Sequence, residues 1–276
     1  MAWTEITRPK YQRDGLRYAS NTADAEWAVI EPHLPPPAHR GRTRTTKLRD
    51  VVNAIFYIAQ SGCQWRLLPK DFPPYTTVQR YFYAWRDNGL WQTINHVLLM
   101  DVREAAGREA SPTAGVIDSQ SVKTTESGGP RGYDAGKKTK GRKRHILTDT
   151  IGLPVGMIVH TADVQDRDGA PGLLASVRNA FPWLRHVFAD GGYAGDKLKG
   201  ALENLGDWTI EIVKRSDVAK GFVLLPRRWV VERTHSWLNR FRKLLVRFEK
   251  KATSHEALLE LACAFIVFRQ VIVIYG

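Results

Sequence analysis

The chain has 276 residues and sets 41 Lys and Arg against 28 Asp and Glu, a formal net charge of +13. Its 43% hydrophobic and 25% charged residues describe a globular chain with a real core and exclude a disordered one. So large a basic excess on a folded chain points to a polyanion, nucleic acid first and a membrane surface second.

In chain order, residues 1–21 are polar and unpatterned and read as a flexible arm. EPHLPPPAHRGRTRTTK (31–47) mixes prolines with basic residues and reads as an extended linker. Leu48, Val51, Val52, Ile55, Ile58 and Ala59 recur at helical spacing over 48–62, with Gly62 as the stop. Cys63 follows; it and Cys263 lie outside any CxxC or zinc-ligand spacing and are expected as buried free thiols in a reducing cytosol. A second helix over 75–89 takes Thr76 as its N-cap and Gly89 as its stop, and 91–107 form a third. Residues 22–110 are therefore expected as a helical, helix-turn-helix-like DNA-binding domain. Thr76, Thr77, Gln79, Arg80, Tyr83 and Arg86 would face DNA, and Arg42 and Arg44 would add backbone contacts. The bland alternative is a plain helical packing unit, with Val78, Phe82 and Trp85 in its core.

After Ser111-Pro112 the texture changes. Strands are expected at 113–120, 143–150, 153–162, 185–193 and 208–214, and helices at 169–181, 194–206, 226–248 and 254–270. Ile151-Gly152 suits a hairpin turn. The order βββαβαβαα implies an α/β domain over 111–276, a mixed five-stranded sheet flanked by helices. KTTESGGPRGYDAGKKTKGRKRH (123–145) reads as a solvated flexible loop whose Lys123, Arg142, Lys143 and Arg144 would clamp DNA backbone. Its Gly136-Lys137 lacks the flanking residues of a phosphate-binding P-loop. In TADVQDRDG, Asp168 is expected to cap the next helix and Asp166 to stand behind the site. His145, His160 and His235 read as surface or phosphate contacts. LACAFIVFRQVIVIYG at the C-terminus is too short and broken for a membrane span and reads as core. No secretion signal is expected.

Three acids stand out. Asp118 and Asp190 each close a strand, where open α/β sheets bind ligands. Glu232 lies on the following basic helix. Val230, Thr234, Trp237, Phe241, Leu244 and Phe248 make a buried stripe there, turning Glu232 outward with Arg228, His235, Asn239, Arg242 and Lys243. Taken singly, Glu232 could be half of an i,i+4 ion pair with Arg228. Taken together, three converging carboxylates repel unless a hard divalent cation joins them, and two Mg²⁺ ions so held would serve an in-line displacement at phosphorus. Arg228, Arg233, Asn239 and Arg240 would then meet phosphates.

VIDSQSVKT around Asp118, FADGGYAG around Asp190 and RRWVVERTHSWLNRFRKL around Glu232 resemble the Asp-Asp-Glu transposases of bacterial insertion sequences, and more narrowly the insertion-sequence-five group. The resemblance implies a ribonuclease-H-like domain in which Asp118, Asp190 and Glu232 hold two Mg²⁺, with Mn²⁺ able to substitute. It further implies cleavage of double-stranded DNA at the terminal inverted repeats and joining to target DNA. A homodimer or larger assembly on DNA, no membrane, and a cytoplasmic, nucleoid-associated location go with it. Arg228 matches the family's Arg four before the Glu, whereas Leu225 and Asn239 stand where the family has Tyr and Lys. A host nuclease on the same fold and a regulator without catalysis are the rivals.

Overall fold

The structure, a computed structural model, describes residues 12–37, 41, 44–126, 128–203, 205–213 and 227–275, with the backbone alone for 272–275. Arg42, Leu225 and most of the expected N-terminal arm lie outside the described residues.

Among the described residues, four α-helices precede the sheet: α1 (Asp24–Ile30), α2 (Leu48–Ser61), α3 (Tyr75–Asp87) and α4 (Leu90–Ala105). α2 buries the side expected from its spacing, Val51, Val52, Ile55, Ile58 and Ala59, together with Phe56. Gly62 ends it at φ +75°, its N–H on the Ile58 carbonyl at 2.9 Å. The start of α3 differs from expectation. Pro74 holds the N-cap position and Thr76 lies inside the first turn. Asn88 ends the helix, so Gly89 begins α4 instead.

The sheet comprises β1 (Ala114–Lys123), β2 (Gly132–Asp134), β3 (Thr139–Asp149), β4 (Pro154–Thr161), β5 (His186–Ala189) and β6 (Thr209–Ile212). β1 runs antiparallel to β3 and parallel to β5, and β6 extends the parallel side. β2 and β4 share one edge of β3, pairing with residues 139–141 and 142–148 respectively, so the mixed sheet is five strands across. β2 and the first residues of β3 lie in the segment read as a flexible loop. The local reason is Asp134, which accepts the Lys137 N–H at 3.0 Å and closes a tight turn with Lys138 at φ +49°.

The remaining helices are α5 (Asp166–Val177), α6 (Asp196–Glu203), α7 (Trp229–Leu238), α8 (Arg242–Leu245) and α9 (Ala252–Tyr275). The single helix expected over 226–248 is thus broken: Asn239 ends α7 and Phe241 adopts an extended conformation before α8. Past the break Phe241 and Leu244 are still buried as the stripe expects, and Phe248 leaves it at 45% exposed.

One hydrophobic core joins the N-terminal helices to the sheet through α9. The Phe265 ring meets Phe56 edge-on at 4.7 Å, and Phe268 stacks on Phe56 at 5.8 Å. A buried ion pair ties the same layers: Arg103 of α4 contacts Asp149 at the end of β3 at 2.5 Å. Among the described residues, no helix is long and apolar enough to cross a membrane, and Cys63 and Cys263 are free thiols, Cys263 buried and Cys63 partly so.

Candidate active site

β1 and β5 pair in parallel with Val116 opposite Phe188. Asp118 and Asp190 each follow those partners by two residues, so the pleat aims both carboxyls from neighbouring positions on the face that carries Val116 and Phe188. Helix α7 sits on that face: Val230 and Val231 pack with Val116 and Phe188 in a separate apolar cluster. The packing that seats α7 therefore sets Glu232, next in sequence, over the same end of β1 and β5.

Two hydrogen bonds to one turn fix the height of α7. Thr234 donates its hydroxyl to the Gly152 carbonyl at 2.6 Å, and Arg233 donates to the Ile151 carbonyl at 2.6 Å. Gly152 has φ +87°, and a Cβ there would stand 3.0 Å from the Arg233 guanidinium and 3.3 Å from Thr234 Oγ. The turn between β3 and β4 is thus shaped to receive the residues directly after Glu232.

The carboxylates differ in surroundings. Asp118 is 19% exposed and lies 3.4 Å from His235 Nε2. Burial works against its charge, but His235, the Ser119 backbone N–H and Lys137 outweigh that and hold its pKa below the usual carboxylate value. Asp190 is 30% exposed, and its Oδ1 accepts the Gly192 N–H at 2.8 Å. Glu232 is the most open, at 57%. Arg228 stands between the last two, 3.6 Å from Asp190 and 3.8 Å from Glu232. The expected i,i+4 pair is thus present, and the same guanidinium also lies near Asp190.

Behind this face, Asp166 accepts the Ser119 hydroxyl at 2.7 Å and pairs with Lys143 at 3.0 Å. A Cβ on Gly192 would fall 3.0 Å from Asp190 and 3.3 Å from Asp166, which shows how closely the two acids approach. Tyr193 is 1% exposed at their centre. Burial, then the charges of Asp118, Asp166 and Asp190, push its phenol well above the ordinary value. The carboxylate oxygens suit a hard divalent cation in kind. In their present positions, with Arg228 between two of them, no group of three His, Cys, Asp or Glu among the described residues encloses a metal.

Several expected DNA contacts turn inward. Arg142 and Arg144 are 1% and 0% exposed. Arg142 donates to the carbonyls of Pro130 and Lys250, and Arg144 to the side chains of Gln120 and Asn239. That bond also engages Asn239. Lys143, 5% exposed, bridges Asp134 and Asp166 at 3.2 and 3.0 Å. Arg233 stacks on Trp229 and Trp237 and is spent on the turn. Arg142, Lys143, Arg144 and Arg233 cannot meet a phosphate without breaking interior bonds, whereas Asn239 accepts its bond through Oδ1 and keeps its amide N–H₂ out of it. Strand β3, which carries Arg142, Lys143 and Arg144, is buried from Gly141 to Asp149, which local sequence does not reveal. Histidines follow suit. His145 is fully buried against Gly169, burial drives its pKa to about 4, and His235 is buried on Asp118. Asp168 pairs with Lys197 at 2.7 Å, and Gln165 occupies the cap position it was expected to fill.

Other candidates stay accessible. Lys123, Arg240, Thr76, Arg80 and Tyr83 are exposed, while Arg44, Thr77, Gln79 and Arg86 are partly so. Arg86 is held by Asp87 at 2.7 Å and Ser254 at 3.0 Å. His235 and Asp166 had only proximity in sequence to mark them: one lies three residues from Glu232, the other in a short acidic run.

The family model described as "Transposase DDE domain" matches residues 109–267, and the model described as "Putative transposase of IS4/5 family" matches residues 23–95. The chain is 37% identical over 133 residues to a "Putative transposase for insertion sequence element IS402" of Burkholderia cepacia, spanning 46% of this chain and 62% of that protein. It is 30% identical over 131 residues to a "Putative transposase for insertion sequence element IS6501" of Brucella ovis, covering 46% of this chain and 98% of the relative. No solved structure matches the chain. The mixed sheet agrees with a ribonuclease-H-like domain, and the chain belongs to the transposase DDE domain family.

Proposed function

We propose that the protein is a metal-dependent transposase that cleaves DNA at insertion-sequence ends and joins the freed ends to target DNA. The observation that carries this reading is the seating of α7 on Val116 and Phe188, two residues short of Asp118 and Asp190 on paired parallel strands. It brings Glu232 to the same sheet end in a chain of the DDE family.

Asp118, Asp190 and Glu232 would hold Mg²⁺, or Mn²⁺ in its place. Two such ions, when bound, supply an activated oxygen nucleophile and charge neutralisation at the leaving oxygen. The chain's own residues do the rest. His235 keeps Asp118 ionised and fixed in direction. Arg228, within reach of two acids, is placed to turn to a phosphate oxygen once their charge is otherwise met. Ser119 and Lys143 anchor Asp166 behind the strand and keep that carboxylate from competing. The α3 face with Thr76, Thr77, Gln79 and Arg80 would meet element ends within a 22–110 recognition unit. Lys123 and Arg240 would meet backbone. Two element ends would be paired by a dimer or larger assembly.

The test is a cleavage and strand-transfer assay on a duplex carrying the element's terminal inverted repeats, with Mg²⁺. Asp118→Asn, Asp190→Asn and Glu232→Gln should each slow cleavage by at least about a hundredfold. An unchanged rate for Glu232→Gln would sink the assignment. Nicking without joining would leave a nuclease on the same fold.

A further inference from the structure

The turn that joins β2 to β3 is tied to β1 beside the three carboxylates. Asp134, 7% exposed, accepts the Ser121 hydroxyl of β1 at 2.6 Å and the Lys137 N–H of the turn at 3.0 Å, and lies 3.2 Å from the Lys143 ammonium. Burial alone would raise its pKa; these bonds bring it down to about 2, so the anchor stays charged. A Cβ on Gly132 or on Gly141 would overlap the Asp163 carboxylate or the Val122 carbonyl, so the hairpin has no slack against its neighbours.

From that fixed turn the Lys137 side chain runs back to β1. Its ammonium donates to the Ser119 carbonyl at 2.8 Å and to the Ser119 hydroxyl at 3.2 Å, one residue past Asp118. Ser119 in turn donates its hydroxyl to Asp166 at 2.7 Å. Lys137 is exposed, and among the described residues no carboxylate forms an ion pair with it. An ammonium has three N–H donors. Two are used on neutral oxygens, and the third, with the whole charge, is left for an anion arriving from solvent.

The sheet order decides which anion. β3 and β5 flank β1 on opposite sides. Arg228 stands on the β5 side, near Asp190 and Glu232, and Lys137 comes in from the β3 side, next to Asp118. A phosphate seated over the three carboxylates therefore lies between two cations. Resting on the DNA-cleaving reading above, we propose that Lys137 is a catalytic residue whose ammonium donates to a non-bridging oxygen of the scissile phosphate. In that step a water oxygen bonds to phosphorus and the bond from phosphorus to O3′ breaks. The electron pair stays on O3′, and the proton the water loses is matched by the one O3′ gains. Lys137 gives up no proton; it meets the charge that builds on the non-bridging oxygen.

The test follows single-turnover cleavage by the full chain of a duplex carrying the element's terminal inverted repeat, with Mg²⁺, and measures duplex affinity with Ca²⁺ in its place. Lys137→Met should slow cleavage by about a hundredfold while affinity stays within about threefold, the split expected of a contact that tightens in the transition state. Lys137→Arg should recover about tenfold of the loss, and Lys138→Met, which removes a charge from the same turn, should stay within about twofold of wild type. Sulfur in place of one non-bridging oxygen of the scissile phosphate separates a contact from a brace on Ser119. The diastereomer whose sulfur faces Lys137 should be cut more slowly by wild type, and that further slowing should disappear in Lys137→Met. An unchanged rate for Lys137→Met, an equal loss in Lys138→Met, or full additivity of Lys137→Met with both diastereomers would overturn the proposal. A wild-type chain that binds the duplex and never cuts it would overturn the DNA-cleaving reading itself, and this inference with it.

Discussion

Arg103→Met removes the cation from the ion pair that joins the helical layer to the site. Arg103 and Asp149 are 6% and 0% exposed at the side chain. Asp149 Oδ1 also accepts the N–H groups of Ile151 and Leu153 at 3.0 and 2.8 Å, which shapes the turn that seats α7. Removing one partner of a buried pair costs about 3–5 kcal/mol, and the two surviving N–H bonds place this case near about 3 kcal/mol. Burial already raises the Asp149 pKa above the ordinary carboxylate value, and losing Arg103 raises it further. A carboxyl whose folded pKa lies above its unfolded one contributes stability that is present below the unfolded value and lost as pH rises through the folded one. The deficit of the variant should therefore be small near about pH 4 and full near about pH 7. Urea unfolding at several pH values reads it directly. Adding Asp149→Asn should recover most of the loss, since the amide oxygen keeps both turn bonds without the charge. A loss below about 1 kcal/mol, or one independent of pH, would refute the reasoning. Cleavage should fall alongside stability, because Gly152 and Ile151 carry Thr234 and Arg233 beside Glu232.

Gly152→Ala should cost about 1–2 kcal/mol, from φ +87° and the close approach of Arg233 and Thr234, and thermal unfolding measures it. Glu260→Gln should stabilise the protein at pH 8 by up to about 2 kcal/mol after allowing for partial exposure, and the difference should vanish below about pH 4, where the acid is protonated folded and unfolded alike. Burial first, then Glu256, raises the Glu260 pKa to about 7, so stability drains away as pH climbs toward that value. Equal melting of the two proteins at pH 8 would contradict this. Arg144→Met should lower stability without altering the salt dependence of DNA affinity. Arg240→Ala should instead reduce the salt slope by about one unit and leave melting unchanged, as binding titrations across salt concentration would show.

These arginine predictions turn on what local sequence could and could not carry. Gly62 and Gly152 were legible because punctuation is local: each sits where a helix or a hairpin must turn. Asp190 follows the end of β5 as expected, whereas Asp118, expected to close its strand, lies in the middle of β1, which runs on to Lys123; Glu232 stood out because its helix shows an apolar stripe for the residues before the break. The stripe held at Phe241 and Leu244 and misled at Phe248. A helical wheel extrapolates a rotation that Asn239 and Phe241 end, so Phe248 came out exposed and Arg247 buried. His235 was misjudged for a different reason. The wheel gave it the same side as Glu232, but that side also faces Asp118, and only the seating of α7 on β1 shows how much of it is covered.

The basic run of β3 is the deepest case. Arg142, Lys143 and Arg144 look solvated because nothing nearby in sequence can neutralise them. Their partners come from far along the chain: Pro130 and Lys250, Asp134 and Asp166, Gln120 and Asn239. Arg103 and Arg247 are likewise interior. Part of the +13 excess therefore serves as internal fastening between strand, loop and helix, and is not available to a polyanion. Among the described residues, the cations expected to meet DNA that stay out of the interior are Lys123 on β1, Arg228 and Arg240 flanking α7, Arg80 and Arg86 on α3, and Arg44. A charge total bears on affinity for nucleic acid only after the buried share is subtracted, because a cation held by interior carbonyls and carboxylates releases no counterion from a phosphate.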